Sequence, residues 1–135
     1  MIESLSHMTF AVKNLAKTGQ FLVDIFDAKQ VYASDDKEFS VMAERFYLIG
    51  EIWVAIMQTE DNIERSYNHI AFKINDADFD MYEQRLIDHK IEMLPPRPRV
   101  TGEGRSLYFY DYDNHLFELH TGTLSERLAR YQKAK

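Results

Sequence analysis

His7-Met8-Thr9-Phe10-Ala11-Val12-Lys13-Asn14 and His69-Ile70-Ala71-Phe72-Lys73-Ile74-Asn75-Asp76 decide the fold, because the chain states one pattern twice with starts 62 residues apart. Each stretch opens on a histidine and then alternates. Met8, Phe10 and Val12, or Ile70, Phe72 and Ile74, fall on one face and the histidine on the other, which reads as a half-buried strand. Behind each strand the apolar spacing lengthens to that of a helix: Leu15, Thr18, Leu22 and Ile25 in the first repeat, Phe79, Tyr82 and Leu86 in the second. Asn14, and either Asp76 or Asp78, stand where N-caps are needed.

Short strand patterns complete each repeat, at 30–32, 40–49 and 51–58 in the first and at 91–94, 106–110 and 115–121 in the second. Asp111-Tyr112-Asp113-Asn114 tolerates a tight reversal, so the last two strands form a hairpin. The expected fold is α+β: two tandem βαβββ modules, about 1–58 and 67–121, in one domain spanning 1–135. Polar residues 58–67 connect them, and a C-terminal helix at about 124–133 carries Leu124, Leu128 and Tyr131 on one stripe.

The 135 residues, 45% of them hydrophobic, suffice for one packed domain. No run of about 18 apolar residues exists, and the first residues lack the basic and apolar segments of a signal peptide. A soluble, cytoplasmic protein without a membrane partner is expected. With no cysteine, disulfides, thiolate metal sites and a protein-borne sulfur nucleophile are excluded. Sixteen basic against twenty-two acidic residues give a net charge of -6, which argues against nucleic acid as a partner.

Two histidines opening equivalent strands would occupy matching places on two sheets, the arrangement a shared metal needs. Glu118 lies 49 residues after His69 in an apolar strand, with Leu116, Glu118 and His120 on one face. An unpaired carboxylate buried there would cost several kcal/mol, which a dication offsets. The same step from His7 reaches Ile56, so the symmetric position carries no ligand. His7, His69 and Glu118 are therefore the candidate metal ligands, a two-His-one-carboxylate set that leaves positions open for water and substrate. Manganese, iron, zinc and magnesium all suit these donors. His120, on the face of Glu118, is either a support behind that ligand or, more simply, a hydrogen-bonded structural residue; His115 reads as structural, and His89 as a charge near a helix C-terminus.

Two βαβββ modules with these ligands resemble the vicinal oxygen chelate superfamily over nearly the whole chain. Within it, Ser66-Tyr67-Asn68-His69-Ile70-Ala71-Phe72, Gly102-Glu103-Gly104-Arg105-Ser106-Leu107-Tyr108-Phe109-Tyr110 and Asp113-Asn114-His115-Leu116-Phe117-Glu118-Leu119-His120 are similar to the FosX type of fosfomycin resistance protein. The resemblance implies Mn2+ as cofactor, fosfomycin as substrate, and a homodimer whose metal sites use modules from both chains. It implies hydration of the epoxide to a diol, with Glu44 in Ser40-Val41-Met42-Ala43-Glu44-Arg45-Phe46 as general base. It also implies substrate contacts from Thr9, Trp53, Tyr67, Ser106, Tyr108 and Arg127. A lysine of thiol-using relatives is replaced here by Arg97-Pro98-Arg99, of which Arg99 is the favoured contact and Arg97 the alternative. Two rival readings are a thiol (glutathione) transferase using the same metal site, and a non-catalytic drug-binding protein of the same fold.

Overall fold

The computed structural model describes residues 1–34, 42–97 and 100–133. They form two compact units, Met1–Glu64 and Arg65–Lys135, parted within the polar connection. No helix among the described residues is long and apolar enough to cross a membrane.

Unit one runs β1 (His7–Val12), α1 (Leu15–Phe26), β2 (Lys29–Ala33), β3 (Glu44–Ile49) and β4 (Ile52–Gln58). Its sheet has the order β1-β4-β3-β2, with β1 parallel to β4 and the other pairs antiparallel. The Asn14 side chain accepts from the Lys17 N–H at 3.0 Å and starts α1, as its place in the sequence predicts. The helix ends where Asp27 turns left-handed (φ 54°) and the Ala28 N–H donates to the Leu22 carbonyl at 3.2 Å. Strand alternation then sorts the side chains. Val12, Tyr47, Val54 and Ile56 are buried on the α1 side with Leu22 and Ile25, each such burial being worth about 1.5–3 kcal/mol. The opposite face carries His7, Thr9, Glu44, Phe46, Trp53 and Ala55, since directly paired residues point the same way. Residues 40 and 41, expected in the third strand, lie outside the described residues, and β3 begins at Glu44.

Unit two runs β5 (His69–Lys73), a 3-10 turn (Asp76–Asp78), α2 (Phe79–Asp88), β6 (Ser106–Tyr110), β7 (Leu116–His120) and α3 (Leu124–Lys133). The sheet order is β5-β7-β6, with β5 parallel to β7, so the pairing repeats that of unit one. Two expectations change. The capping side chain is Asn75, which accepts from the Ala77 N–H at 3.3 Å; the 3-10 turn moves the start of the element ahead of Asp76, and Asp78 makes no side-chain cap bond. The strand expected at 91–94 shrinks to one bridge, Met93 to Phe109, flanked by Leu94 N–H to the Tyr108 carbonyl and Tyr110 N–H to the Glu92 carbonyl. Pro95 and Pro96 follow at once and have no N–H with which to extend the ladder.

The hairpin between β6 and β7 is pinned by the buried Asp111, which accepts from the Asp113 and His115 N–H groups at 2.9 Å and lies 2.7 Å from His115 Nδ1. Arg65 donates to both Glu92 oxygens at 2.7 Å and to Asn114 at 2.9 Å while lying over the Tyr110 ring. These bonds hold the Glu92 carboxyl below its ordinary range. Before α3, Thr123 Oγ1 accepts from the Glu126 N–H at 3.1 Å and donates to the Glu126 carboxylate at 2.9 Å, and Leu124, Leu128 and Tyr131 lie exposed on the helix surface.

Gly19 is set by packing, not by helix preference. A Cβ there would run into the Tyr47 hydroxyl, which belongs to a fully buried ring donating to Gln30. Gly19→Ala gains about 1 kcal/mol of helix propensity but incurs about 1–3 kcal/mol of overpacking. A lowered melting temperature, partly restored in the Gly19→Ala/Tyr47→Phe double variant, is the expected result in a thermal unfolding series.

Candidate metal and substrate site

In unit two, β5 and β7 run in parallel with Ala71 beside Glu118, and β6 places Tyr108 opposite Glu118 and Ser106 opposite His120. His69, Ser106, Tyr108, Glu118 and His120 therefore share one face, while Phe72, Leu107, Phe109, Phe117 and Leu119 are buried on the other. Glu118 is itself buried, at 5% exposure. Its Oε1 lies 3.1 Å from His69 Nε2. The other ring nitrogen, Nδ1, lies 2.8 Å from the Tyr67 carbonyl, an atom that can only accept, so Nδ1 carries a proton. Nε2 and the carboxylate then face each other across a gap that needs positive charge, from a proton or from a metal ion.

The gap has the dimensions of a shared cation. Two donors each about 2.1 Å from one ion and at right angles to each other stand about 3.0 Å apart. A histidine whose Nδ1–H is tied to a backbone carbonyl is also held in the tautomer that presents Nε2 to a metal. Nitrogen and carboxylate oxygen suit Mn2+ among the divalent ions. The residues of this chain therefore fit the ion. Among the described residues no three His, Asp or Glu side chains gather into a metal-binding group, so two of the three expected ligands meet in unit two.

The third expected ligand, His7, lies in unit one, exposed and stacked on Trp53 with ring centroids 4.1 Å apart. The two are register partners on β1 and β4. Trp53 meets Phe46 edge-on at 5.2 Å, and its indole Nε1 is buried with no hydrogen-bond partner among the described residues. A buried unpaired donor is costly unless a ligand satisfies it. Glu44 opens β3 on this same face; Ser34 Oγ accepts from its backbone N–H at 3.0 Å, and its carbonyl accepts from Ser34 N–H at 3.0 Å.

Beside the His69–Glu118 pair, unit two forms an open cavity of about 960 Å³ whose walls include Tyr67, Arg97, Tyr108 and Arg127. Arg97 donates to the Tyr67 hydroxyl at 3.0 Å and lies over the rings of Tyr108 and Tyr67 at 5.4 and 5.8 Å. Burial pushes the Tyr108 phenol well above its ordinary value, with the Tyr67 hydroxyl and the Glu118 charge adding to the effect. Tyr108 thus stays a neutral hydroxyl donor. Ser106 donates to Glu118 Oε2 at 2.5 Å. Arg105 also lines the cavity, but it is engaged with Asp76 at 3.1 Å and lies over Phe79. Arg99 lies outside the described residues, so Arg97 is the arginine of that pair that the structure places at the cavity. His120, for which the sequence offers either a structural place or a support behind Glu118, also belongs to the wall.

The loop before β6 closes through two glycines. Gly104 (φ 76°) lies so near the backbone of Gly122 that a Cβ would clash with it, while the Thr121 N–H donates to the Arg105 carbonyl at 3.0 Å and Thr121 Oγ1 accepts from the Arg105 N–H at 2.8 Å. Gly104→Ala combines a left-handed conformation costing about 1–2 kcal/mol with that clash. Its melting temperature is expected to fall by several degrees in differential scanning calorimetry.

The model of the Glyoxalase/Bleomycin resistance protein/Dioxygenase superfamily matches residues 4–119. The Fosfomycin resistance protein FosX of Mesorhizobium japonicum is 65% identical, over 98% of this chain and 96% of that protein. A crystal structure of a mutant of FosX from Listeria monocytogenes, complexed with Mn(II) and 1S,2S-dihydroxypropylphosphonic acid, is 55% identical with a TM-score of 0.90, covering 96% of this chain and 100% of that one. The Metallothiol transferase FosB of Staphylococcus saprophyticus is more distant, 36% identical over 100% of this chain and 87% of that protein. On this sequence and structural agreement, the chain belongs to the glyoxalase/bleomycin resistance protein/dioxygenase superfamily and, within it, to the FosX fosfomycin resistance proteins.

Proposed function

We propose that the chain is a Mn2+-dependent epoxide hydrolase that adds water to fosfomycin and yields the inactive diol. The observation that carries this reading is the buried Glu118 carboxylate facing His69 Nε2 at 3.1 Å, a pair spaced to share one metal ion. The diol phosphonate held by the Listeria monocytogenes relative is of the kind such a reaction releases. His7, His69 and Glu118 would hold the ion. When bound, Mn2+ supplies the Lewis-acid charge that favours ring opening and the oxyanion it creates.

The chain's own residues do the rest. Glu44 takes a proton from the water that attacks the carbon bearing phosphorus, as the C–O bond of the ring breaks and the freed ring oxygen takes up a proton from solvent; general-base help of this kind is worth about 10²–10⁴ in rate. Arg97 and Arg127 receive the phosphonate, and Tyr108, kept neutral, donates a hydroxyl hydrogen bond to it. Thr9, Tyr67 and Ser106 line the bound molecule, and Trp53 offers it the unpaired Nε1. Glu44→Gly is expected to lose diol formation by at least about 10²-fold while Mn2+ binding, read by electron paramagnetic resonance, is retained. Undiminished diol formation sinks the assignment of Glu44.

A second reading, thiol transfer, is favoured by the likeness to the FosB protein. Phosphorus NMR of fosfomycin incubated with protein and Mn2+, with and without glutathione, separates the two. The diol is expected in the thiol-free sample, and a strict need for thiol overturns the hydrolase reading. A purely drug-binding protein would give stoichiometric protection with no product in either sample.

The same reading includes a homodimer in which each ion takes His7 from one chain and His69 and Glu118 from its partner. The exposed apolar stripe of α3 and the exposed His7 support it. Mixing inactive His7→Ala and Glu118→Ala proteins tests it directly. Random re-pairing leaves one intact site in each mixed dimer, so about a quarter of full activity should return. Sites built within one chain would recover none.

A further inference from the structure

The two ring nitrogens of His120 lie between a cavity-lining arginine and the proposed metal-binding carboxylate. Nε2 is 3.3 Å from a terminal nitrogen of Arg127, and Nδ1 is 2.7 Å from Ser106 Oγ and 3.3 Å from Glu118 Oε2. Ser106 Oγ is in turn 2.5 Å from Glu118 Oε2. We propose that His120 is a positioning residue: held as the Nδ1–H tautomer by Arg127, it directs the Ser106 proton to Glu118 and leaves only Oε1 to face His69 and the ion. This rests on the reading of Glu118 as a metal ligand.

The direction follows from what each group can donate. A guanidinium has no acceptor, so His120 Nε2 accepts from Arg127. In the neutral ring the proton then sits on Nδ1 and is donated to Ser106 Oγ. Ser106 has a single proton, and the carboxylate accepts, so that proton points to Oε2. Every bond runs one way, from Arg127 through His120 and Ser106 to Glu118. Reversal is barred at both ends, because Arg127 cannot accept and a carboxylate cannot donate. Bonds aligned head to tail polarise one another. Strand register sustains the series: Ser106 is directly opposite His120, and Glu118 is two residues along on the same face. A Cβ on Gly122 would lie 2.8 Å from His120 Nε2, so the ring has little room to turn. The arrangement couples the two ends of the site, since α3 carries the arginine and β7 the carboxylate.

Three replacements divide the two functions of the ring. His120→Asn keeps an N–H near the place of Nδ1, His120→Gln keeps an acceptor near that of Nε2, and His120→Leu keeps neither. Metal ligands that lose such support bind their ion about 10–100-fold more weakly. That weakening is expected for His120→Leu and His120→Gln in a Mn2+ titration followed by electron paramagnetic resonance, with His120→Asn within a few-fold of the unaltered protein. The KM for fosfomycin should divide oppositely, raised in His120→Asn and His120→Leu but near normal in His120→Gln. Nitrogen-15 NMR of the metal-free, unaltered protein should show a proton on Nδ1 and a bare Nε2. A proton on Nε2 overturns the proposal, as do unchanged Mn2+ affinity and KM in a folded His120→Leu protein. If His120→Leu does not fold, identical behaviour of the Asn and Gln variants overturns it. Failure of the unaltered protein to bind Mn2+ would instead overturn the metal reading, and the tautomer measured without metal keeps the two failures distinct.

Discussion

A carboxylate buried in an apolar strand has to be compensated, and most of unit two is arranged around that need. Glu118 sits in a strand whose other face packs Phe117 and Leu119 into the core, where an isolated charge would cost several kcal/mol. One oxygen takes the Ser106 proton and the other faces His69 Nε2. The imidazole is fixed in turn by the carbonyl of Tyr67, two residues earlier on the same chain. The site is thus held by secondary structure on both sides, with the hairpin turn locked by Asp111 and Arg65 behind it.

Charge distribution lets an acidic chain present a cationic cavity. The net charge of -6 is a property of the whole surface, while the cavity is lined by Arg97, Arg105 and Arg127 together with the hydroxyl of Tyr108. Arg105 is committed to Asp76 and to the ring of Phe79, which among the described residues of the cavity leaves Arg97 and Arg127 as the cations placed for an anionic ligand. The neutrality of Tyr108 follows from burial beside a carboxylate, a setting that opposes a second negative charge. Unit one presents a face of another kind, with His7 stacked on Trp53 and a buried indole N–H that has no partner among the described residues. Glu44, the proton acceptor of the proposed reaction, opens β3 on that face.

The duplication is visible in hydrogen bonding as well as in sequence. In each unit the first strand pairs in parallel with the last, and the penultimate strand pairs antiparallel with that one. The units differ at the outer edge, where β2 is a full strand but residues 91–94 make only one bridge before Pro95 and Pro96. Shortening that edge brings residues 94–97 onto the cavity wall, where Arg97 reaches Tyr67. A departure from the repeat thus supplies a polar contact that a complete fourth strand would not.

The amino-acid order alone determined the two modules, the helices between strands and the hairpin at 111–114, because these rest on local periodicity and turn chemistry that neighbouring residues carry. It also limited the donors to nitrogen and oxygen by containing no cysteine. The tertiary structure decided what sits beside what. Parallel pairing of β5 with β7 brings residue 69 to residue 118, and that register is a long-range property no local pattern encodes. The same applies to His120, whose hydrogen bonds depend on β6 and α3 together, and to Arg97, placed by a strand that proline cut short. Asn75 in place of Asp76 or Asp78 as the capping side chain is a local matter still, but one set by a 3-10 turn that hydrophobic spacing does not reveal. Chemistry of single residues is written in their identity, whereas the sharing of a proton or an ion requires distances, and those exist only once the strands have paired.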